Sequence, residues 1–168
     1  DYMVNMMREH VPQETRIHYV ITNGGKAPNV IPDFAEVYYY VRHPDRTIVQ
    51  DVFNRVAKAA EGAALGTGTT MSYEVIGGTY DLLINKTLAD VMQNNLVKVG
   101  GVQYSPADSV FGETIRKTFT GTVPPMSKAA AIDPVVVEYK GLGSTDVCDV
   151  SWAVPTVGLS AATWVPGT

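Results

Sequence analysis

The sequence has little with which to cross-link, cross a membrane or hold a polyanion. Its single cysteine, Cys148, rules out an internal disulfide and fits a reducing compartment. No apolar run approaches the ~20 residues that span a bilayer, and no basic segment followed by a greasy one opens the chain. The expectation is therefore a cytoplasmic protein with no membrane contact. Basic residues are few: 13 Lys and Arg stand against 17 Asp and Glu, for a net charge of -4. They are scattered and not interleaved with aromatics, which argues against a nucleic-acid partner. Histidine is scarce as well. His10, His18 and His43 have no carboxylate or cysteine at ligand spacing, so a surface or packing role is the simpler reading for each.

What is present is enough to build a core, since 45% of the 168 residues are apolar. Met3, Met6, Met7 and Val11 recur at helical spacing until Pro12, like the second half of a helix whose first residues, and a strand before them, lie upstream. Residues 16–22 and 36–42 alternate with the period of strands and are rich in Ile, Val and Tyr. Pro28 and Pro32 between them cannot donate ladder hydrogen bonds, which predicts an irregular loop and not a tight hairpin. Thr47-Ile-Val-Gln50 has the form of a capping box, and the apolar stripe from Ile48 to Ala64 predicts a helix ended by Gly66-Thr-Gly-Thr-Thr70. Met71 to Ile76 reads as a further short strand. With one strand added upstream, the order becomes β-α-β-β-α-β, a ferredoxin-like unit of α+β class.

The composition shifts near residue 80, which divides the chain into segments 1–80 and 81–168. Leu88, Val91, Met92, Leu96 and Val99 predict a helix ending at Gly100-Gly101. Residues 102–132 show little period and read as an extended insertion. A glycine-led loop follows at residues 141–146, and residues 157–163 form a small apolar run suited to a buried strand.

Arg42 shares a strand face with Tyr40, Tyr38 and Glu36. It fits two roles: a solvated strand end paired with a nearby acid, or bidentate capture of a carboxylate by the planar guanidinium. Asn29 either presents its amide to the same ligand or caps its own turn. His18, on the neighbouring strand, can orient an anion if the strands pair. Asn23-Gly-Gly-Lys26 lacks the spacing of a phosphate loop. Ser144, Thr145 and Asp146 cluster hydroxyls and a carboxylate, as a helix N-cap also does. Cys148 has no partnered histidine and reads as a packing residue.

The run from Arg16 through Asn23-Gly-Gly-Lys-Ala-Pro-Asn29-Val-Ile-Pro to Tyr-Tyr-Tyr-Val-Arg42 resembles the lid of the di-metal amidohydrolase and carboxypeptidase superfamily. That family includes carboxypeptidase G, aminoacylase and the hydrolase that splits aminobenzoyl-glutamate. Residues 143–152 and 163–168 resemble its catalytic domain just before the last metal-ligand histidine. Two positions depart from the pattern: Cys148 stands where a glycine is expected, and Lys26 enlarges a small-residue turn.

The resemblance implies a ferredoxin-like lid and dimerisation domain at 1–80, with a C-terminal fragment of an α/β di-zinc peptidase catalytic domain at 81–168. It implies a substrate carboxylate held by Asn29 and Arg42, thirteen residues apart. His18, Ser144, Thr145 and Asp146 follow as weaker candidates for substrate binding. It implies two zinc or manganese ions, a water between them and a glutamate as general base, serving cleavage of N-acyl or N-aroyl amino acids such as p-aminobenzoyl-glutamate. It also implies a homodimer through the lid, with room for a second subunit. The sequence contains no Glu-Glu pair, Cys-Gly-His or His-Pro-Glu, so neither catalytic nor metal-ligating residues are expected in this chain. The competing expectation is a non-catalytic ferredoxin-like module that binds a small acid or dimerises.

Overall fold

A computed structural model describes residues 1–136 and 143–168. It divides the chain into two units, Asp1–Asp81 and Leu82–Thr168.

The first unit is a two-layer α+β arrangement. Helix α1 (Tyr2–Met7) runs into a 3-10 turn at Arg8–His10, followed by β1 (Arg16–Asn23), β2 (Glu36–Arg42) and the long helix α2 (Arg46–Thr67). The strands pair antiparallel from Arg16 opposite Arg42 to Asn23 opposite Glu36, with a bulge between Ile21 and Asn23. The twelve residues between the strands form the expected irregular loop. Alternation sends Ile17, Tyr39 and Val41 to one face, where they pack with Val4, Met7, Val52 and Val56 of the two helices. The Arg8 guanidinium donates to the Ile17 carbonyl and ties α1 to β1.

Local details differ from the sequence reading. Helix α1 buries Val4 and Met7, while Met3 and Met6 are exposed. The inward stripe is therefore Val4, Met7 and the partly buried Val11, with the methionine spacing shifted by one residue. Helix α2 is capped by Asp45, two residues before Thr47: the Asp45 carboxylate accepts from the Thr47 amide at 2.7 Å and from its hydroxyl at 2.6 Å. Gln50 turns away to donate to Asn54. The helix ends at Gly68, whose φ of 68° is a left-handed value that favours glycine.

Residues 71–76 are not a strand, and among the described residues the sheet has two strands only. In a ferredoxin-like sheet the last strand lies beside the first, and the described residues contain no such first strand to complete its ladder. Tyr73 instead sets its ring edge-on to Phe53 of α2, at 5.6 Å.

The second unit is helical where described: α3 (Lys86–Val99), α4 (Pro106–Arg116), α5 (Ser127–Ala130) and α6 (Val147–Ala153). Helix α3 has the expected bounds, capped by Asn85 and ended by Gly100. Helices α4 and α5 replace the extended insertion expected over 102–132. Ser105-Pro-Ala-Asp108 forms a complete capping box with proline in the first turn, a start signal hidden among the scattered Gly, Ser and Thr. Residues 157–163 are not a strand, and Leu159 is 54% exposed. A buried strand needs ladder neighbours on both sides, and no strand is described in this unit. Of the expected loop at 141–146, residues 141 and 142 lie outside the described residues.

Candidate functional site

The helices cover one face of the hairpin and leave the other open. The open face carries Arg16, His18, Val20 and Thr22 from β1, facing Arg42, Tyr40, Tyr38 and Glu36 from β2. The register places Arg16 opposite Arg42, His18 opposite Tyr40 and Val20 opposite Tyr38. His18 is therefore diagonal to Arg42 on the same face, within reach of long side chains. Sequence alternation anticipated both positions.

This face is graded along its length. Two guanidiniums stand at one end, where Arg16 also donates to the carbonyls of Gln13 and Thr15 at 2.8 and 2.9 Å. The middle is aromatic: the Tyr38 and Tyr40 rings meet edge to face, with centroids 5.2 Å apart and planes at 63°. A hydrogen bond with Tyr40 raises the Tyr38 phenol above its ordinary pKa, with smaller contributions from desolvation and the Tyr40 charge. At the loop end Thr22 donates to the Glu36 carboxylate at 2.5 Å.

Asn29 is the third residue of a turn closed by the Val30 amide donating to the Ala27 carbonyl at 3.2 Å, with Pro28 at the second position. Its loop leaves from the Asn23/Glu36 end of the ladder, whereas Arg42 closes the opposite end six residues away, ~20 Å along the strand. The ladder alone does not bring the two together. Meeting on one carboxylate requires the loop to fold back along the open face.

His43 lies just beyond Arg42 with its side chain only 8% exposed. Its Nδ1 accepts from the Asp45 amide at 2.9 Å, and its Nε2 lies 3.9 Å from Glu14. That is a packing role at the start of α2.

In the second unit, Ser144, Thr145 and Asp146 lead into α6. The Thr145 hydroxyl accepts from the Val147 amide at 3.3 Å and donates to Asp146, a local turn just before α6, whose N-cap Asp146 makes no side-chain capping bond. Cys148 is partly buried in α6. Ser151, in the second turn of that helix, accepts from the Leu83 amide at 2.9 Å and donates to the Cys148 carbonyl.

Among the described residues no group of three or more His, Cys, Asp or Glu could hold a metal ion. No described helix is long and apolar enough to cross a membrane.

Residues 3–67 match the family model of the peptidase dimerisation domain. The chain is 32% identical to one subunit of the p-aminobenzoyl-glutamate hydrolase of Escherichia coli (strain K12), over an alignment covering 98% of this chain and 39% of that protein. It is also 31% identical to the Xaa-Arg dipeptidase of Mus musculus and 30% identical to that of Homo sapiens, each covering 71% of this chain and 28% of the dipeptidase. The chain thus spans well under half the length of these relatives. By name they are hydrolases, and the resemblance read from residues 16–42, 143–152 and 163–168 is borne out.

Proposed function

We propose that the chain is a section of a metal-dependent amidohydrolase that cleaves the amide bond of N-acyl or N-aroyl amino acids, with p-aminobenzoyl-glutamate as the leading substrate class. Residues 1–80 act as a lid and dimerisation domain of ferredoxin-like layout, completed by a strand supplied from elsewhere in the whole protein. Residues 81–168 are a C-terminal part of its α/β catalytic domain. The two divalent ions, zinc or manganese, and the general base belong to other parts of that protein.

Arg42 takes the substrate carboxylate in this reading. A planar guanidinium offers two parallel donors to the two carboxylate oxygens, fixing orientation as well as charge. Asn29 adds an amide donor once the 24–35 loop folds back over the face. His18, diagonal to Arg42, supplies an imidazole facing the same ligand. Ser144, Thr145 and Asp146 remain weaker contributors, because two of them already serve the start of α6. Holding the carboxylate orients the scissile amide for water attack at a centre elsewhere, and this positioning is the chain's contribution to rate. Dimerisation through the lid, with room for a second subunit, is supported by the family match of residues 3–67.

The observation that carries the reading is the open hairpin face, on which the ladder aligns Arg42, Tyr40 and His18. Replacing Arg42 by Ala in the whole protein is expected to weaken transition-state binding by ~2 to 4 kcal/mol, the range for unpairing a buried charge. Steady-state kinetics on carboxylate-bearing substrates measure this, and unchanged kcat/KM would remove Arg42 from the role.

A further inference from the structure

The carboxylate reading assigns no role to the tyrosine pair on the open face. The helices cover the opposite face, and Tyr40 is 56% exposed and Tyr38 38% exposed. Strand propensity alone accounts for tyrosine at such positions. It does not account for their arrangement relative to the cationic end.

Two residues separate Tyr40 from Arg42 on the same face, a Cα distance of ~6.6 Å at the strand rise. An aryl ring and a carboxylate on opposite sides of one amide are held apart by about 6 Å, from standard bond lengths. The face therefore repeats the layout of such a molecule, anion acceptor first and aromatic surface next. The rings are also pre-set: their edge-to-face contact restricts both side chains before any ligand arrives.

Resting on the proposed role of Arg42, we propose that Tyr40, braced by Tyr38, is the platform for the acyl half of the substrate and confers preference for an aromatic ring there. Tyr40 presents a ring to the aryl group by offset or edge contact, an interaction that an aliphatic acyl group cannot return. Val20, opposite Tyr38 and 53% exposed, extends the apolar floor. The ligand class is an N-aroyl amino acid with a free carboxylate.

The test uses the whole protein and two substrates that share their amino acid, N-benzoylglutamate and N-acetylglutamate. Tyr40→Leu is expected to lower kcat/KM for the benzoyl substrate about ten-fold while changing the acetyl substrate by less than about two-fold. Tyr40→Phe, which keeps the ring, is expected to retain the preference. An equal partial loss on both substrates, with turnover still measurable, or no loss on either, overturns the platform, since a purely structural tyrosine would not discriminate between acyl groups. If Tyr40→Leu abolishes turnover of both, equilibrium binding of N-benzoylglutamate decides: weakened binding beside unchanged N-acetylglutamate binding supports the platform, and any other result overturns it. Arg42→Ala is run in parallel. Loss on both substrates there, with no discrimination by Tyr40→Leu, discards the platform and keeps the carboxylate role, whereas no effect of Arg42→Ala discards the carboxylate role.

Discussion

The two units are built from similar local signals and differ in what those signals achieve. Both contain amphipathic helices with well-formed caps. In the first unit the apolar faces of α1 and α2 close on a sheet, and Val4, Met7, Ile17, Val52 and Val56 are buried together. In the second unit the described residues that reach burial are Gly112 and Ser151, while Val110, Phe111 and Trp164 are each more than two-thirds exposed. A helix buries its stripe only against another layer, and the second unit has no sheet among its described residues. It is held instead by capping, by the Ser151 stitch to Leu83, and by close backbone approach at Gly101. The capacity to form helices is thus written locally, but a core depends on the layer opposite.

The largest effect that would sharpen this contrast is expected at Val52, the most deeply buried side chain among the described residues. Val52→Ala should cost about 2 to 3 kcal/mol, read by chemical denaturation, because it removes methyl groups from a closed core and leaves a cavity. Gly101→Ala comes next, at about 1 to 3 kcal/mol in the second unit, for the opposite reason of overpacking. An added Cβ there would lie 1.7 Å from the Ala130 carbonyl oxygen, which is backbone and cannot rotate aside. Ser105→Ala should cost about 1 kcal/mol by removing half of the α4 capping box, with the loss visible in helical circular dichroism.

Acid should act alike on both units. The Asp45 carboxyl is held below its ordinary pKa by hydrogen bonds from the Thr47 hydroxyl and amide, and Asp108 by those from Ser105. A carboxyl depressed by folding stabilises above its unfolded pKa of about 4, and that contribution is lost as pH falls through the folded value. Helicity titrated downward from neutral pH should therefore decline earlier in the wild-type chain than a curve without this dependence, and Asp45→Asn with Asp108→Asn should flatten it. The smallest expected effect is that of Val110→Ser, within about 0.5 kcal/mol. A cost matching that of Val52→Ala would break the comparison, since it would reveal a core around α4.

Much of the first unit was legible in the sequence because its information is local. Period-two alternation marked β1 and β2, the prolines marked an irregular loop, and Gly68 falls within the tract expected to end α2. The failures have two causes. Residues 71–76 and 157–163 have strand-like composition, but a strand exists only with a ladder partner, and composition cannot supply one. The N-cap of α2 and the start of α4 were misread because a capping residue two positions earlier, and a Ser-Pro-Ala-Asp signal within a polar stretch, leave no apolar period. At the candidate site, alternation gave the shared face of Arg42, Tyr40 and His18. The thirteen-residue spacing of Asn29 and Arg42 carried no distance, because the path of the loop between them is not encoded in spacing. The tyrosines were legible as sharing the face of Arg42, but their edge-to-face contact was not, because alternation gives a side chain's face and not the orientation of its ring.

The ladder also sets how this surface can change over evolutionary time. The bulge between Ile21 and Asn23 shows that the loop end accommodates an extra residue while Arg16 stays opposite Arg42. Length variation is therefore tolerable there, and the 24–35 loop is free to diverge in length as well as in sequence. Between Val37 and Val41 the situation reverses. One residue gained or lost would exchange the two faces of β2, turning Tyr38 and Tyr40 toward Val52 and moving Tyr39 into solvent. Change within β2 should accordingly come by replacing side chains one at a time, while insertions and deletions collect in the loop.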